Sequence, residues 1–121
     1  MVKDQLVTDN FALYNSDCME VLPTLKDESI DLSVYSPPFA GLYNYSSSEK
    51  DFSNCESKEQ FLEQYDFLVK EISRVTKSGR ISAVHCTDVF DNTCRLWDFP
   101  HEIIKIHEKY GFEYRNRITI W

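Results

Sequence analysis

The sequence predicts an α/β fold in which helices flank a mostly parallel sheet. Short apolar runs rich in β-branched and aromatic residues alternate along the chain with segments of helical periodicity. The clearest strand, residues 30–35, is followed by the clearest helix, 57–77. A second strand, 80–86, then begins after a tight Ser78-Gly79 turn. Strand, helix and strand in this order predict a crossover that joins two parallel strands.

Composition predicts one soluble globular domain spanning residues 1–121, with 42% hydrophobic and 27% charged residues. No apolar run approaches the roughly 18 residues of a membrane span. The first residues lack a signal-peptide core, so a cytoplasmic location is expected. The four cysteines show no zinc-type spacing, which predicts free thiols and no metal site.

The net charge of −7 argues against a chain that binds DNA unaided, because phosphate contacts require lysine and arginine. Two segments are locally basic: Arg74, Lys77 and Arg80 form one, and Lys105, Lys109, Arg115 and Arg117 form the other. Either DNA contacts come from elsewhere, or the chain binds something other than DNA.

The first part of the chain predicts a loose terminus followed by one strand and one short helix. Residues 1–10 are polar and irregular, whereas 11–15 suit a short strand. Asp17 stands where a helix would begin, and its side chain suits a helix N-cap. Pro23 ends the helix that Asp17 opens.

The strand over residues 30–35 must stop at Ser36, because proline cannot donate to a sheet ladder. The residues after it form a stiff loop at a carboxyl end of the sheet, the usual place for chemistry in an open α/β fold. Ser36 offers a hydroxyl, and its carbonyl and that of Pro37 are fixed acceptors. The paired prolines, Pro37 and Pro38, hold the loop rigid, and Phe39 offers a flat ring. Such a loop suits a planar group that carries an amino substituent.

A long polar segment, 40–56, comes after this loop and contains the aromatic residues Tyr43 and Tyr45. Long loops in compact domains are usually functional or mobile, so we predict a substrate-facing loop here, with a plain linker as the alternative. The next helix carries one apolar stripe at steps of four and three: Phe61, Tyr65, Leu68, Ile72 and Val75.

The last part of the chain predicts two further elements. Thr87 and Asp88 follow the second strand and are pocket candidates, and residues 89–100 look irregular. An amphipathic helix is predicted over 100–110, followed by a strand over 112–121.

The motif Ser36-Pro37-Pro38-Phe39 resembles the catalytic motif Asp/Asn/Ser-Pro-Pro-Tyr/Phe/Trp of the DNA amino-methyltransferases, which methylate adenine N6 or cytosine N4. The preceding order also agrees with the permuted, or β, class of that family. A strand ending in an acidic residue and cysteine (13–18) leads into a short helix (19–25) and an Asp-x-x-Ile-Asp-Leu strand (27–32). The similarity extends from about residue 13 to residue 121.

This resemblance implies a partial Rossmann-like methyltransferase fold, with S-adenosylmethionine as cofactor and DNA as partner. The expected site comprises Ser36, Pro37, Pro38 and Phe39 as catalytic residues, Asp17, Cys18 and Ser36 as cofactor contacts, and Tyr43, Tyr45, Thr87, Asp88 and Trp121 as substrate contacts. Serine at the first motif position favours cytosine N4 over adenine N6.

One feature departs from the family, whose complete members hold the methionine part of the cofactor in a Phe-x-Gly-x-Gly loop. This chain has only Gly41, Gly79 and Gly111. It therefore resembles a truncated catalytic half that binds the cofactor weakly. An RNA or protein-amide methyltransferase is an alternative function. A further alternative is an inactive half-domain that assembles, for instance as a homo-oligomer, through an unpaired sheet edge.

Overall fold

A computed structural model describes residues 2–38, 58–90 and 94–121 of the chain. The expected loop 40–56, with Tyr43 and Tyr45, lies outside these ranges, as do Phe39 and Ser57. In chain order the elements are β1 (Asp4–Val7), β2 (Ala12–Asn15), α1 (Cys18–Val21), a 3₁₀ turn (Leu22–Thr24), β3 (Ile30–Tyr35), α2 (Lys58–Val75), β4 (Thr76–Val84), β5 (Val89–Phe90), β6 (Leu96–Trp97) and α3 (Phe99–Lys109).

The predicted crossover is confirmed, because β3 and β4 pair in parallel with α2 between them in the chain. The ladder runs from Leu32 opposite Ile81 to Tyr35 opposite Val84. β4 starts at Thr76, earlier than predicted, and the register shifts in front of Ile81. Gly79 lies within that shift with a φ of +75°, a backbone conformation that glycine adopts without steric cost. The expected Ser78-Gly79 turn is therefore an irregularity inside β4.

Both long helices form where periodicity predicted them, and together they supply the core. The predicted stripe of α2 is buried, and it packs with residues of α3, β5 and α2 itself: Phe61, Tyr65, Leu68, Val69, Ile72, Val89, Phe99 and Ile103. The Phe61 ring stacks on Tyr65 and meets Phe99 edge-on, with centroids 5.9 and 5.4 Å apart. α3 begins at a proper cap, since the Asp98 carboxylate accepts from the His101 amide at 3.2 Å.

Arg74, near the end of α2, fastens the segment that leads into β3. Its guanidinium donates to the carbonyl oxygens of Leu22 at 2.8 Å and Leu25 at 2.9 Å. The same group is paired with the carboxylates of Glu71 and Asp27. These bonds fix where the chain enters β3, and hence where β3 ends.

The prediction of a loose terminus over 1–10 is wrong, because β1 pairs antiparallel with β2. The hydroxyl of Thr8 stabilises the turn between them: it accepts from the amides of Asn10 and Phe11 at 3.3 and 3.1 Å. The predicted strand over 11–15 is confirmed as β2.

The expected mostly parallel sheet is not observed. The described residues form three separate two-stranded sheets, of which only β3–β4 is parallel. The segment predicted to be irregular, 89–100, instead contains β5 and β6, which pair antiparallel. Parallel strands require a long crossover, and here only the β3–β4 connection contains a helix of that length. The coarser prediction, a mixed fold of helices and sheets, is confirmed.

The predicted strand over 112–121 is also wrong. In the described part of the chain this segment pairs with no strand, and residues 113–121 are exposed. Alternation along a sequence shows which side chains would share a face, but a strand also needs a partner for its backbone hydrogen bonds.

Candidate active site

The carboxyl ends of β3 and β4 meet at one edge of the parallel pair, and predicted site residues follow both strands there. Ser36 follows β3, whereas Thr87 and Asp88 come shortly after β4; all three are exposed. The amide of His85 donates to the carbonyl of Tyr35 at 2.9 Å, which continues the ladder beyond β4. The fold thus brings Ser36, Thr87 and Asp88 to the same edge.

The segment Ser36-Pro37-Pro38 combines a fixed backbone with a mobile hydroxyl. Pro37 is buried and Pro38 is half-buried, and each ring fixes its own φ. The Ser36 hydroxyl donates to the Pro37 carbonyl at 3.5 Å, the long limit of a hydrogen bond. So weak a bond leaves the exposed hydroxyl free to turn toward a ligand.

Directly before Ser36, the side chain of Tyr35 belongs to a buried polar chain. Its hydroxyl lies 2.8 Å from that of Tyr65 and 3.0 Å from Nε2 of His107. His107 Nδ1 lies 2.7 Å from the carbonyl oxygen of Ile103. A carbonyl can only accept, so we assign the ring proton to Nδ1. Nε2 then accepts from Tyr35, and Tyr65 donates to Tyr35.

Burial keeps each member of this chain uncharged near neutral pH. It lowers the pKa of His107, which favours the neutral ring. It also raises the pKa of both Tyr35 and Tyr65. The polar chain therefore acts through hydrogen bonds, not through charge.

The predicted cofactor residues Asp17 and Cys18 lie at the start of α1. The Asp17 carboxylate accepts from the Met19 amide at 2.8 Å, which confirms the predicted N-cap. Met19 packs against the same core cluster as Tyr35 and Cys86. This shared cluster connects α1 with the residues at the ends of β3 and β4.

The locally basic segments are largely neutralised by acidic neighbours. Five of their cations form ion pairs: Arg74 with Glu71 and Asp27, Lys77 and Arg80 with Asp31, Lys105 with Glu102, and Lys109 with Asp66. Arg115 and Arg117 form no ion pair with any described residue. Burial raises the pKa of the Cys86 thiol, and the positive charge of Arg117 lowers it.

Trp121 is the one described site residue that no described contact brings to this edge, since its side chain is fully exposed. Conversely, sequence reasoning did not identify the link from Tyr35 to His107. Tyr65 was predicted only as part of a core stripe, and the Tyr35–His107 bond joins residues 72 positions apart. No local pattern signals a contact of that range.

Nothing among the described residues suggests a metal centre or a membrane span. No three side chains of His, Cys, Asp and Glu type converge there. No described helix has both the length and the apolar character that crossing a bilayer requires. Cys18, Cys86 and Cys94 are free thiols, and Cys55 lies outside the described ranges. A groove of about 550 Å³ between α2 and α3, lined in part by Leu62 and Phe67, contains no residue of the strand-end site.

The fold is DNA methyltransferase-like. Its solved neighbours include crystal structures of TTHA0409 from Thermus thermophilus, described as a candidate DNA modification methylase. The selenomethionine form matches with a TM-score of 0.65 at 25% identity, covering 83% of this chain and 38% of that one. A second crystal structure matches with a TM-score of 0.63 at 26% identity, covering 81% and 39%.

A third structure of that protein, complexed with S-adenosyl-L-methionine, shares the fold with a TM-score of 0.61 at 23% identity, covering 80% of this chain and 39% of that one. This chain therefore spans less than two fifths of the length of these neighbours. The sequence matches no family model, and no curated protein matches it.

Proposed function

We propose that this chain carries the catalytic loop of an S-adenosylmethionine-dependent DNA methyltransferase that methylates an exocyclic amino group of a base. Cytosine N4 is favoured over adenine N6, because serine occupies the first motif position. The observation that carries the proposal is the place of Ser36-Pro37-Pro38 at the carboxyl end of a parallel strand, in a fold shared with DNA modification methylases.

The chemistry requires acceptors placed before reaction. The lone pair of an exocyclic amine is delocalised into the base, so the nitrogen is a poor nucleophile. Acceptors that take the amine protons let the nitrogen pyramidalise and attack. The hydroxyl oxygen of Ser36 and the carbonyl of Pro37 fit this role, because one is free to turn and the other belongs to a buried proline.

We assign the remaining roles around these acceptors. Phe39 stacks on a base that has left the duplex. Asp17 and Cys18 contribute to the cofactor site, and Tyr43, Tyr45, Thr87, Asp88 and Trp121 contact the substrate. Arg115 and Arg117, the two cations of the locally basic segments without a described ion pair, are suited to phosphate contacts.

The described residues fit the cofactor only in part. S-adenosylmethionine, when bound, supplies an electrophilic methyl group. No Gly-x-Gly occurs in the chain. An added Cβ at Gly79 would meet nothing within 4 Å, so this glycine lies at an open irregularity of β4 and not in a tight cradle. Asp17 already caps α1 through one carboxylate oxygen. We therefore propose weak cofactor binding by the chain alone.

The direct test incubates the chain with DNA and S-adenosylmethionine and measures methylated nucleosides by mass spectrometry. We expect N4-methylcytosine, and about a 10²-fold loss in Ser36→Ala, the scale for removing one preorganised group. Ser33→Ala is the matched control, because this serine lies in β3, just before Ser36, but its hydroxyl donates to the Ser82 hydroxyl at 2.9 Å. Equal loss in both variants would contradict the role of Ser36. Detection of N6-methyladenine instead would change the target base from cytosine to adenine. Parallel incubations with RNA and with protein test the alternative RNA or protein-amide methyltransferase.

A second function, an assembly module, is favoured by one specific observation. Leu32, Val34 and Ile81 project from one face of the β3–β4 pair and are 58, 72 and 47% exposed. Parallel sheets are normally covered on both faces, so an open apolar face suits association. Sedimentation velocity across a concentration series tests it: a monomer at every concentration counts against assembly.

A further inference from the structure

We propose that His107 is a positioning residue: it holds the hydroxyl of Tyr35 and thereby fixes the end of β3 from which Ser36 and Pro37 present their acceptors. This inference rests on the proposed function for its catalytic meaning. The bonds themselves are a property of the fold.

Three elements converge on the Tyr35 side chain. β3 supplies Tyr35, α2 supplies Tyr65 at 2.8 Å, and α3 supplies His107 at 3.0 Å. Tyr65 is fully buried and His107 is 9% exposed, so water does not readily replace these bonds. The carbonyl of Tyr35 also accepts from His85, so backbone and side chain are held at once. The next residue in the chain is Ser36.

The Tyr35 hydroxyl contributes hydrogen bonds in addition to packing, because phenylalanine would fill the same volume without making them. Burying a hydroxyl without partners is unfavourable, whereas satisfied partners also select one orientation. The Ile103 carbonyl sets the direction of every bond in the polar chain, since it requires the proton on Nδ1 of His107 and leaves Nε2 to accept. His107, on α3, thereby sets the orientation of the Tyr35 hydroxyl.

Protonation of His107 would reverse the order of these bonds. Both nitrogens of the His107 ring would then donate, so the Tyr35 hydroxyl would accept from Nε2 and donate to the Tyr65 hydroxyl. The Tyr65 hydroxyl would thereby lose the acceptor for its own proton. Among the described residues, the thiols of Cys18 and Cys86 also act on the pKa of Tyr35. The ring of Phe112 packs on His107, with the two ring centroids 5.4 Å apart. None of these groups offers the carboxylate that would stabilise a charged imidazole.

The decisive experiment measures amide hydrogen exchange by NMR at His85, whose amide donates to the Tyr35 carbonyl, in the full chain and four variants. Tyr35→Phe and His107→Leu remove one end of the bond, and His107→Gln restores an acceptor. Ser73→Ala is the control: its hydroxyl donates to the Tyr110 carbonyl at 2.8 Å, joining α2 to the end of α3 without touching β3.

We expect exchange at the His85 amide to be about five- to tenfold faster in Tyr35→Phe and His107→Leu, which corresponds to the loss of roughly one hydrogen bond. His107→Gln should restore slow exchange, and Ser73→Ala should change this amide only as much as global stability changes. Exchange that follows global stability equally in all four variants would overturn the inference. Tyr35→Phe keeps the test valid if His107→Leu fails to fold.

Methyl transfer, measured in parallel, separates this inference from the function on which it rests. Positioning predicts that kcat falls about tenfold in Tyr35→Phe and His107→Leu while KM for S-adenosylmethionine changes little. No methyl transfer by the unaltered chain would count against the proposed function. Amide hydrogen exchange would still decide whether His107 orders the end of β3. Normal kcat with fast exchange would overturn the positioning role.

Discussion

Both faces of the β3–β4 pair carry apolar side chains, but their surroundings are opposite. On one face, Tyr35 and Val84 pack against the core under α2 and α3. On the other, Leu32, Val34 and Ile81 are apolar and largely exposed. Both faces are typical of a strand buried on two sides, yet within the described residues only one is covered.

This difference shows what holds the candidate site in place. The covered face carries the polar chain to His107 and the ring cluster around Phe61, which fix the strand ends. The open face contributes no comparable contact among the described residues. Changes on the covered face should therefore cost stability and site order, whereas changes on the open face should alter association.

The largest effect is expected from Phe61→Ala on the covered side. Phe61 is fully buried, and removing its ring should lower the free energy of unfolding by about 3–5 kcal/mol. Phe67→Ala on the same helix is the matched control, because Phe67 is 56% exposed. Urea denaturation measures both. Similar losses in the two variants would mean that α2 does not pack on this face as described.

A smaller effect is expected from pH, again on the covered face. Burial holds the pKa of His107 below its ordinary value, so the unfolded chain binds the proton first. The contribution of His107 to the free energy of unfolding should be complete above about pH 6.5, and it should fall as the pH drops from there toward the folded-state pKa. Thermal unfolding between pH 7.5 and 5 measures this. His107→Gln should reduce the slope, and the same change at the exposed His101 should not.

The smallest effect on stability is expected from Val34→Thr on the open face. A near-isosteric change at an exposed strand position should alter the free energy of unfolding by no more than about 0.5 kcal/mol. Val84→Thr, the same change on the covered face, should cost more, because it places a hydroxyl against the core. If the open face mediates assembly, Val34→Thr should weaken association in sedimentation experiments. An unfolding free energy as sensitive at position 34 as at position 84 would erase the distinction between the faces.

Local signals predicted the elements that depend on local chemistry. The prolines after Ser36 fixed the end of β3, Asp17 predicted the α1 cap, and the apolar steps from Phe61 onward predicted α2. The β1–β2 hairpin was missed although Asp9 and Asn10, turn-forming residues between two apolar pairs, could have signalled it.

Features that depend on distant partners could not be predicted in this way. Residues 112–121 alternate as a strand would, but only a neighbouring strand could make them one. The ion pairs that neutralise Lys77 and Arg80 involve Asp31, which is far away in the chain. The number of basic residues in a segment therefore overestimates its positive charge at the surface. The spacing of residues along the sequence gave no signal for the bond between Tyr35 and His107.

The parallel pairing also imposes an order on folding. Ser33 and Ser82, whose hydroxyls meet across the two strands, are 49 positions apart in the chain. Contacts of such separation form late and slowly, because the intervening chain must first be closed into a loop. During synthesis, β3 must therefore wait unpaired until α2 and β4 have left the ribosome. The loop that carries Ser36 takes its final form only when β4 pairs with β3.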